Sequence, residues 1–396
     1  MERHLKILLV GDYANDPRLG SAKVLLKLRD GFEKLGHECR VLFSEELGVS
    51  VSNNRLSQLM RPFAAARAIS KVFRDHGSFD VVDVASAEGL VFGLAKLVGR
   101  FRNTAFITRS NGLEHLNYQR MLDDHRAGLL KKPWTRRIWY PATRLIQLAV
   151  SARLADRLIL LNEDDRNYAL RKRWLPSDRI SIVPHGISEC FLRDDPSESS
   201  GRGAGLLFCG TWDHSKGIHY LVEAFSLVRE RGVKANLTVL GPGYPKEVVL
   251  RAFPKHIQPF VTVIDRADEN EVARQYRRHD LLVFCSSYEG YGMVLAEAMA
   301  QGLAVISTPV GCATTLVVDG KTGLVVPRRD SRALADAIER LWGDVQLRVQ
   351  LGNNASEQVR GLTWDKSARA TVSQYWLALE FTRRERPAHS EAFRPS

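Results

Sequence analysis

Residues Cys285 to Gly311 read CSSYEGYGMVLAEAMAQGLAVISTPVG. The run leaves an apolar segment, Leu281 to Cys285, that has the length and composition of a buried strand. It crosses a turn with glycines at 290 and 292, enters a helical pattern that Gly302 ends, and emerges in a second apolar run, Ala304 to Ser307. Gly290 and Gly292 let the backbone turn tightly and bring bare N–H groups to a helix start, which suits the phosphate of a ligand. Glu289 sits in the turn and Glu297 follows eight residues later, inside the helix. A carboxylate accepts two hydrogen bonds from a vicinal diol, so one glutamate can hold a ribose and the other a second sugar. The plainer reading makes Glu289 a turn residue and Glu297 a solvated acid complementing the helix dipole. Glu297, however, lies between Ala296 and Ala298 on an otherwise apolar helix, where an unpaired acid would be costly.

Outward from this unit the same strand and helix alternation fills the chain, the rhythm of βαβ units and a parallel sheet. The pattern predicts strands at 6–10, 38–43, 80–84, 105–108, 157–161 and 180–183, and again at 206–209, 236–240, 261–264, 281–285, 304–307 and 323–326. The clearest helix is 21–35, with Val24, Leu25, Leu28, Phe32 and Leu35 on one stripe and Gly36 after it. Between the two sets lies RDDPSESSGRGAG, residues 193–205, polar and without apolar periodicity. The expected organisation is an α/β chain of two Rossmann-like domains, 1–192 and 204–362, whose parallel sheets face across a cleft. A helix at 363–384 is expected to pack back on the first domain, and 385–396 reads as a flexible tail.

The chain has 396 residues, 44% hydrophobic and 26% charged, an ordinary globular composition with room for two domains. Its net charge of +12 suggests an anionic partner. Five scattered cysteines without a Cys-x-x-Cys pair fit a reduced, cytoplasmic compartment. No apolar run is long enough for a signal-peptide core or a spanning helix, so membrane contact would be peripheral, on the inner face. The stretch 126–157 carries eight Lys or Arg against Asp156, with Trp134, Trp139 and Tyr140 interleaved, which suits an anionic membrane surface or a solvated helix face. No nucleic-acid reader motif accompanies it.

The segment Glu289 to Gly302 closely resembles the Glu-x7-Glu signature of glycosyltransferase family 4, retaining enzymes of the GT-B fold that use no metal. Gly210-Thr-Trp-Asp-His-Ser-Lys-Gly217 resembles that family's Gly-Arg-Leu-x-x-x-Lys-Gly segment, Leu237 to Gly243 its next strand and turn, and Ile182 to Ser188 its interdomain segment. Pro17 to Lys23 and Leu35 to Val41 match its N-terminal loop and strand more loosely. The resemblance implies a ribose contact for Glu297, a donor-sugar contact for Glu289, and phosphate-binding amides around Gly290, Tyr291, Gly292 and Met293. It implies that Lys216 neutralises the departing diphosphate, with Gly210 and Thr211 beside it. Three positions depart from the family pattern: Thr211 replaces an Arg, Asn111 stands at the catalytic position where a His is usual, and Gly20-Ser21, implied to bind the donor, replaces Gly-Gly. Glu114 and His115 are candidates on the acceptor side, His115 as a substitute for the absent His, although a surface residue at a helix start is the preferred reading of it.

The function so implied is transfer of a sugar from a nucleotide diphosphate sugar to a hydroxyl of a carbohydrate, lipid-linked or small-molecule acceptor, with retention and without a metal or other cofactor. A nucleotide-sugar epimerase of the same fold and a catalytically degenerate sugar-nucleotide-binding protein are the alternatives.

Overall fold

The computed structural model describes residues 4–48, 55–130, 134–192 and 203–384. Most of the polar run expected to mark the domain boundary, Lys131, Lys132 and the tail from 385 lie outside the described residues, as do the side chains of 134–136.

The chain divides into two compact units: Met1–His115 with Gly128–Val183 and Trp364–Ser396, and Leu116–Ala127 with Pro184–Thr363. The chain thus changes unit at Val183/Pro184, ahead of the polar run. Hydrogen bonds give the reason. Ile187 N donates to Leu362 O, Ser188 Oγ to Glu269, and Gln301 Nε2 to Phe191 O, so 184–192 is stitched to the second unit. Residues 116–127 join that unit as well, because Arg120 donates to Ser287 O at 2.8 Å and Asp124 pairs with Arg329 at 2.6 Å.

The first unit holds a six-stranded parallel sheet of Lys6–Val10 (β1), Glu38–Leu42 (β2), Val81–Ala85 (β3), Ala105–Arg109 (β4), Arg157–Leu160 (β5) and Ile180–Ile182 (β6). Their order is β2-β1-β3-β4-β5-β6. β3 and β4 are buried along their whole length, as strands covered on both faces must be. The helix Gly20–Lys34 buries the expected stripe, and against it lies the C-terminal helix Trp364–Arg384. A Cβ on Gly31 would sit 2.6 Å from Ala368 Cβ, so the two helices meet at van der Waals contact there. The C-terminal helix is also pinned to the sheet: Tyr375 donates to Asp83 at 2.6 Å, Asp83 pairs with the fully buried Arg109, and Thr382 donates to Asp156, which also pairs with Lys96.

The second unit repeats the architecture with Leu206–Cys209 (β7), Leu237–Leu240 (β8), Val261–Ile264 (β9), Leu281–Phe284 (β10), Ala304–Ser307 (β11) and Leu324–Val325 (β12). All are parallel, in the order β12-β11-β10-β7-β8-β9. This is the dinucleotide-fold order, reversing between β7 and β10, whereas the first sheet reverses between β1 and β3. The two units are therefore both doubly wound but differ in strand order. Among the described residues no helix is long and apolar enough to cross a membrane.

Candidate active site

Open parallel sheets bind ligands beyond the carboxyl ends of the strands where the strand order reverses. In the second unit that point is flanked by the turns after β7 and β10, which carry the two quoted motifs. After β7, Asp213 accepts from Ser215 N and Ser215 Oγ and closes a short 3-10 turn, His214–Lys216. Gly217 follows with φ +71° and opens the helix Ile218–Glu230. A Cβ at Gly217 would lie 2.0 Å from the Cys285 carbonyl oxygen, so only glycine lets the two turns approach this closely. Ser215 O accepts from Ser287 N at 2.7 Å and completes the stitch.

This approach brings Lys216 and Glu289 together. Lys216 Nζ donates to Glu289 Oε1 at 2.6 Å, and Ser286 Oγ donates to the same oxygen at 2.9 Å. Thr308 in turn donates to Ser286 O at 2.6 Å, holding the turn after β10 to the residue beyond β11. The pair is partly exposed, open to an incoming ligand. The sequence motifs imply separate duties for these two residues; in the free protein they satisfy one another.

Of the two motif glycines, Gly292 takes the left-handed conformation, with φ +89°, and Gly290 does not. Gly292 caps the eight-residue helix Met293–Ala300, and no side chain caps that helix start. Gly311 is the glycine that short-range reading misses. A Cβ there would lie 2.4 Å from Tyr291 O and 2.9 Å from Glu289 Cβ, so it makes room for the turn from outside the Glu-x7-Glu segment. Tyr291 points inward, its hydroxyl donating to His185 O at 3.1 Å, which leaves its backbone as the part able to meet a donor.

Glu297 is buried, with the Tyr276 hydroxyl 3.5 Å from its Oε2 and Cys209 Sγ 3.7 Å from that hydroxyl. Burial, then Cys209 and Glu297, hold the Tyr276 phenol well above its ordinary range, so it stays a proton donor. Gly210 ends β7 with φ +144°, and Thr211 beside it is exposed.

In the first unit a polar set gathers beyond β1, β3 and β4. Arg144 bridges two acids, Glu88 at 2.6 Å and Glu114 at 3.0 Å, and Tyr140 donates to Glu114. Asp12, just after β1, pairs with Arg61 at 2.7 Å. Asn111 follows β4 within hydrogen-bonding reach of the Tyr13 hydroxyl, whose proton affinity is raised by burial and then by Glu88. Burial also pushes the Glu88 carboxyl up, against the pull of Arg144. Of this set the sequence singles out Asn111 and Glu114; Asp12, Tyr13, Arg61 and Glu88 carry no local motif. Arg144 shows only as one cation in a basic run. His115 is half-buried. Its ring packs on Trp174 and Tyr168, with centroids 5.0 and 5.4 Å away, and burial lowers its pKa to about 4. Gly20 and Ser21 form the first turn of the helix Gly20–Lys34 instead of a loop.

Among the described residues no group of three or more His, Cys, Asp or Glu is placed to hold a metal ion.

Two family models match the chain: Glycosyltransferase Family 4 over residues 19–189, and Glycosyl transferases group 1 over residues 203–344. Similar curated proteins include D-inositol 3-phosphate glycosyltransferases. That of Pseudarthrobacter chlorophenolicus is 31% identical over 51% of this chain and 51% of its own length. That of Frankia alni is 31% identical over 57% and 60% respectively. The chain thus spans about half the length of the curated relatives it matches. Among solved structures, sucrose-phosphate synthase from Thermosynechococcus elongatus superposes with a TM-score of 0.77 at 20% identity, covering 96% of this chain and all of that one. The Anabaena protein HepE, solved with UDP, gives 0.67 at 15% identity over 94% of this chain and all of its own. These likenesses show the GT-B fold.

Proposed function

The chain belongs to glycosyltransferase family 4, and we propose that it moves a sugar from a nucleoside diphosphate sugar to an acceptor hydroxyl with retention at the anomeric carbon. The observation that carries this reading is the Lys216–Glu289 pair, at 2.6 Å, on two turns that meet at the strand-order reversal of the second sheet beside a glycine-led helix start. The solved complexes of HepE with UDP and with UDP-glucose make a uridine donor the first to try.

In this reading Glu297 receives the ribose hydroxyls and Glu289 the donor sugar. The amides from Gly290 to Met293 and the Lys216 ammonium take the diphosphate, with Gly210 and Thr211 lining the approach. As the bond from the anomeric carbon to the diphosphate breaks, its electron pair leaves with the diphosphate, and Lys216 and the helix amides stabilise the growing charge. The acceptor oxygen bonds to the same face, and its proton passes to a diphosphate oxygen. The polar set of the first unit, through Asn111 and Glu114, holds the acceptor hydroxyls. His115 fixes the helix that carries Glu114. The acceptor is a carbohydrate, lipid-linked or small hydroxylated molecule.

Because a lysine and helix amides fill the leaving-group role, transfer should persist in excess chelator. Two measurements test the reading. A thermal-shift series with UDP, UDP-glucose and the other nucleoside diphosphates should find a stabilising ligand, about 2.7 kcal/mol at a hundred times its dissociation constant; no shift with any of them removes the donor site. Label transfer from the stabilising donor should survive EDTA, and activity lost there and restored by Mg²⁺ or Mn²⁺ would overturn the metal-free mechanism.

A further inference from the structure

On one side of the first sheet the helices bury their inner faces as expected and leave the outer ones apolar. The helix Arg55–His76 packs Ala65, Ala68, Ile69 and Val72 into the core. Its outer face shows Leu56, Met60 (51% exposed) and Phe63 (56%), spaced i, i+4, i+7 and therefore on one stripe. The same stripe continues as Arg67, Lys71 and Arg74, all exposed. One face of one helix is thus apolar along its first half and cationic along its second.

Its neighbours extend the apolar half. The helix Leu90–Leu97 packs beside it and leaves Leu97 70% exposed, with Leu94 and Val98 also open. Gln147 also donates to Leu59 O and residues 141–145 meet the same helix, in a segment that leaves Ile138 (61%), Trp139 and Ile146 exposed with Arg137 among them. Across these helices Asp75 is the one acidic residue. Scattered exposed apolar residues are ordinary, but a run of neighbouring ones with a cationic border marks a contact surface.

We propose that this face docks on an anionic lipid bilayer. Phe63, Met60, Ile138 and Leu97 would sit at the headgroup boundary, and Trp139 has the amphipathic ring favoured at that depth. Arg67, Lys71, Arg74 and Arg137 would meet lipid phosphates. A second copy of the chain fits the face poorly, because a two-fold contact would set these cations either against their own images or, with the helices antiparallel, into the partner's apolar half, where they would be buried unpaired. The basic stretch 126–157 supplies one edge of this surface; the larger part comes from helices whose sequences alone read as ordinary core-covering ones.

Co-sedimentation of the full chain with phosphatidylglycerol and phosphatidylcholine vesicles tests the proposal. Binding is expected on phosphatidylglycerol, falling as salt rises, and weak on phosphatidylcholine. Arg67→Gln with Lys71→Gln should weaken it by roughly thirtyfold, and Met60→Ser with Phe63→Ser should also lower it, both with unchanged circular dichroism and melting midpoint. No binding at low salt, equal binding to both lipids, or binding that neither variant lowers would overturn the proposal. So would a concentration-dependent dimer that Met60→Ser with Phe63→Ser abolishes, since the face would then belong to a second copy.

Discussion

Lys216 and Glu289 are 73 residues apart in sequence and share a hydrogen bond in the free protein. A diphosphate that draws Lys216 away leaves Glu289 facing that diphosphate without its cation. Glu289→Gln keeps the side-chain shape and frees the lysine. It is therefore expected to bind UDP more tightly than the parent, by about fivefold if a partly exposed ion pair is worth about 1 kcal/mol, while transfer slows because the developing positive charge at the anomeric carbon loses its carboxylate. Glu297→Ala should do the opposite to UDP, weakening it about tenfold to a hundredfold by removing a charged acceptor of ribose hydrogen bonds. Calorimetric titration of UDP into the three proteins separates these outcomes. Equal UDP affinity in the parent and Glu289→Gln would show that Lys216 and Glu289 do not compete for one another with the ligand.

At the scale of elements, the site depends on how closely two turns approach. Gly217 holds a left-handed φ and lies with its Cα against the Cys285 carbonyl, while Gly232, also left-handed at φ +86°, has nothing within 4 Å of a would-be Cβ. Alanine at 232 therefore costs about 1 kcal/mol of conformational strain. Alanine at 217 adds a backbone clash that only separation of the turns can relieve. Gly217→Ala is expected to lose more than about 2 kcal/mol in denaturant unfolding, and to lose UDP affinity as Ser287 and Glu289 shift. Gly232→Ala should leave UDP affinity unchanged, which makes it the control for left-handed strain alone.

For the whole molecule, histidines that are partly or fully buried contribute to the response to acid. Burial lowers the pKa of His115 in the first unit to about 4, and that of His219 in the second, also mainly by burial, to about 4; His279 moves in the same direction. Between about pH 4 and the ordinary histidine value near 6.5 these histidines bind more protons in the unfolded chain than in the folded one, so their contribution to stability rises with pH through that window and is lost as acid is added, while the Glu88 and Asp124 carboxyls, pushed up by burial, work in the opposite direction. Melting midpoints are expected to drop progressively from pH 7 toward 4.5. His115→Phe, which keeps the ring stack on Trp174 and Tyr168, should flatten the dependence of the first unit's transition. A pH profile identical to the parent's would place the acid response elsewhere.

What the amino-acid sequence determined by itself was whatever is written locally. The twelve strands of the described residues lie where the pattern puts them, to within a residue or two at their ends, most of them because a strand covered on both faces must be apolar along its own length; the edge strands Glu38–Leu42 and Val261–Ile264 are only partly covered. The glycine turn, the helix after it and the two glutamates were legible for the same reason. The tertiary structure decided what depends on strand order. Reversal of the second sheet between β7 and β10 set two distant turns side by side, paired Lys216 with Glu289, and gave Gly311 its place under the turn. It also joined Tyr375 to Asp83 across 292 residues and carried the chain from the first unit into the second at Pro184, before the polar run. The set around Arg144 draws its members from five separate segments and so leaves no spacing to read. Short-range patterns record which faces are buried; which buried faces meet is settled by long-range contacts that no single segment encodes.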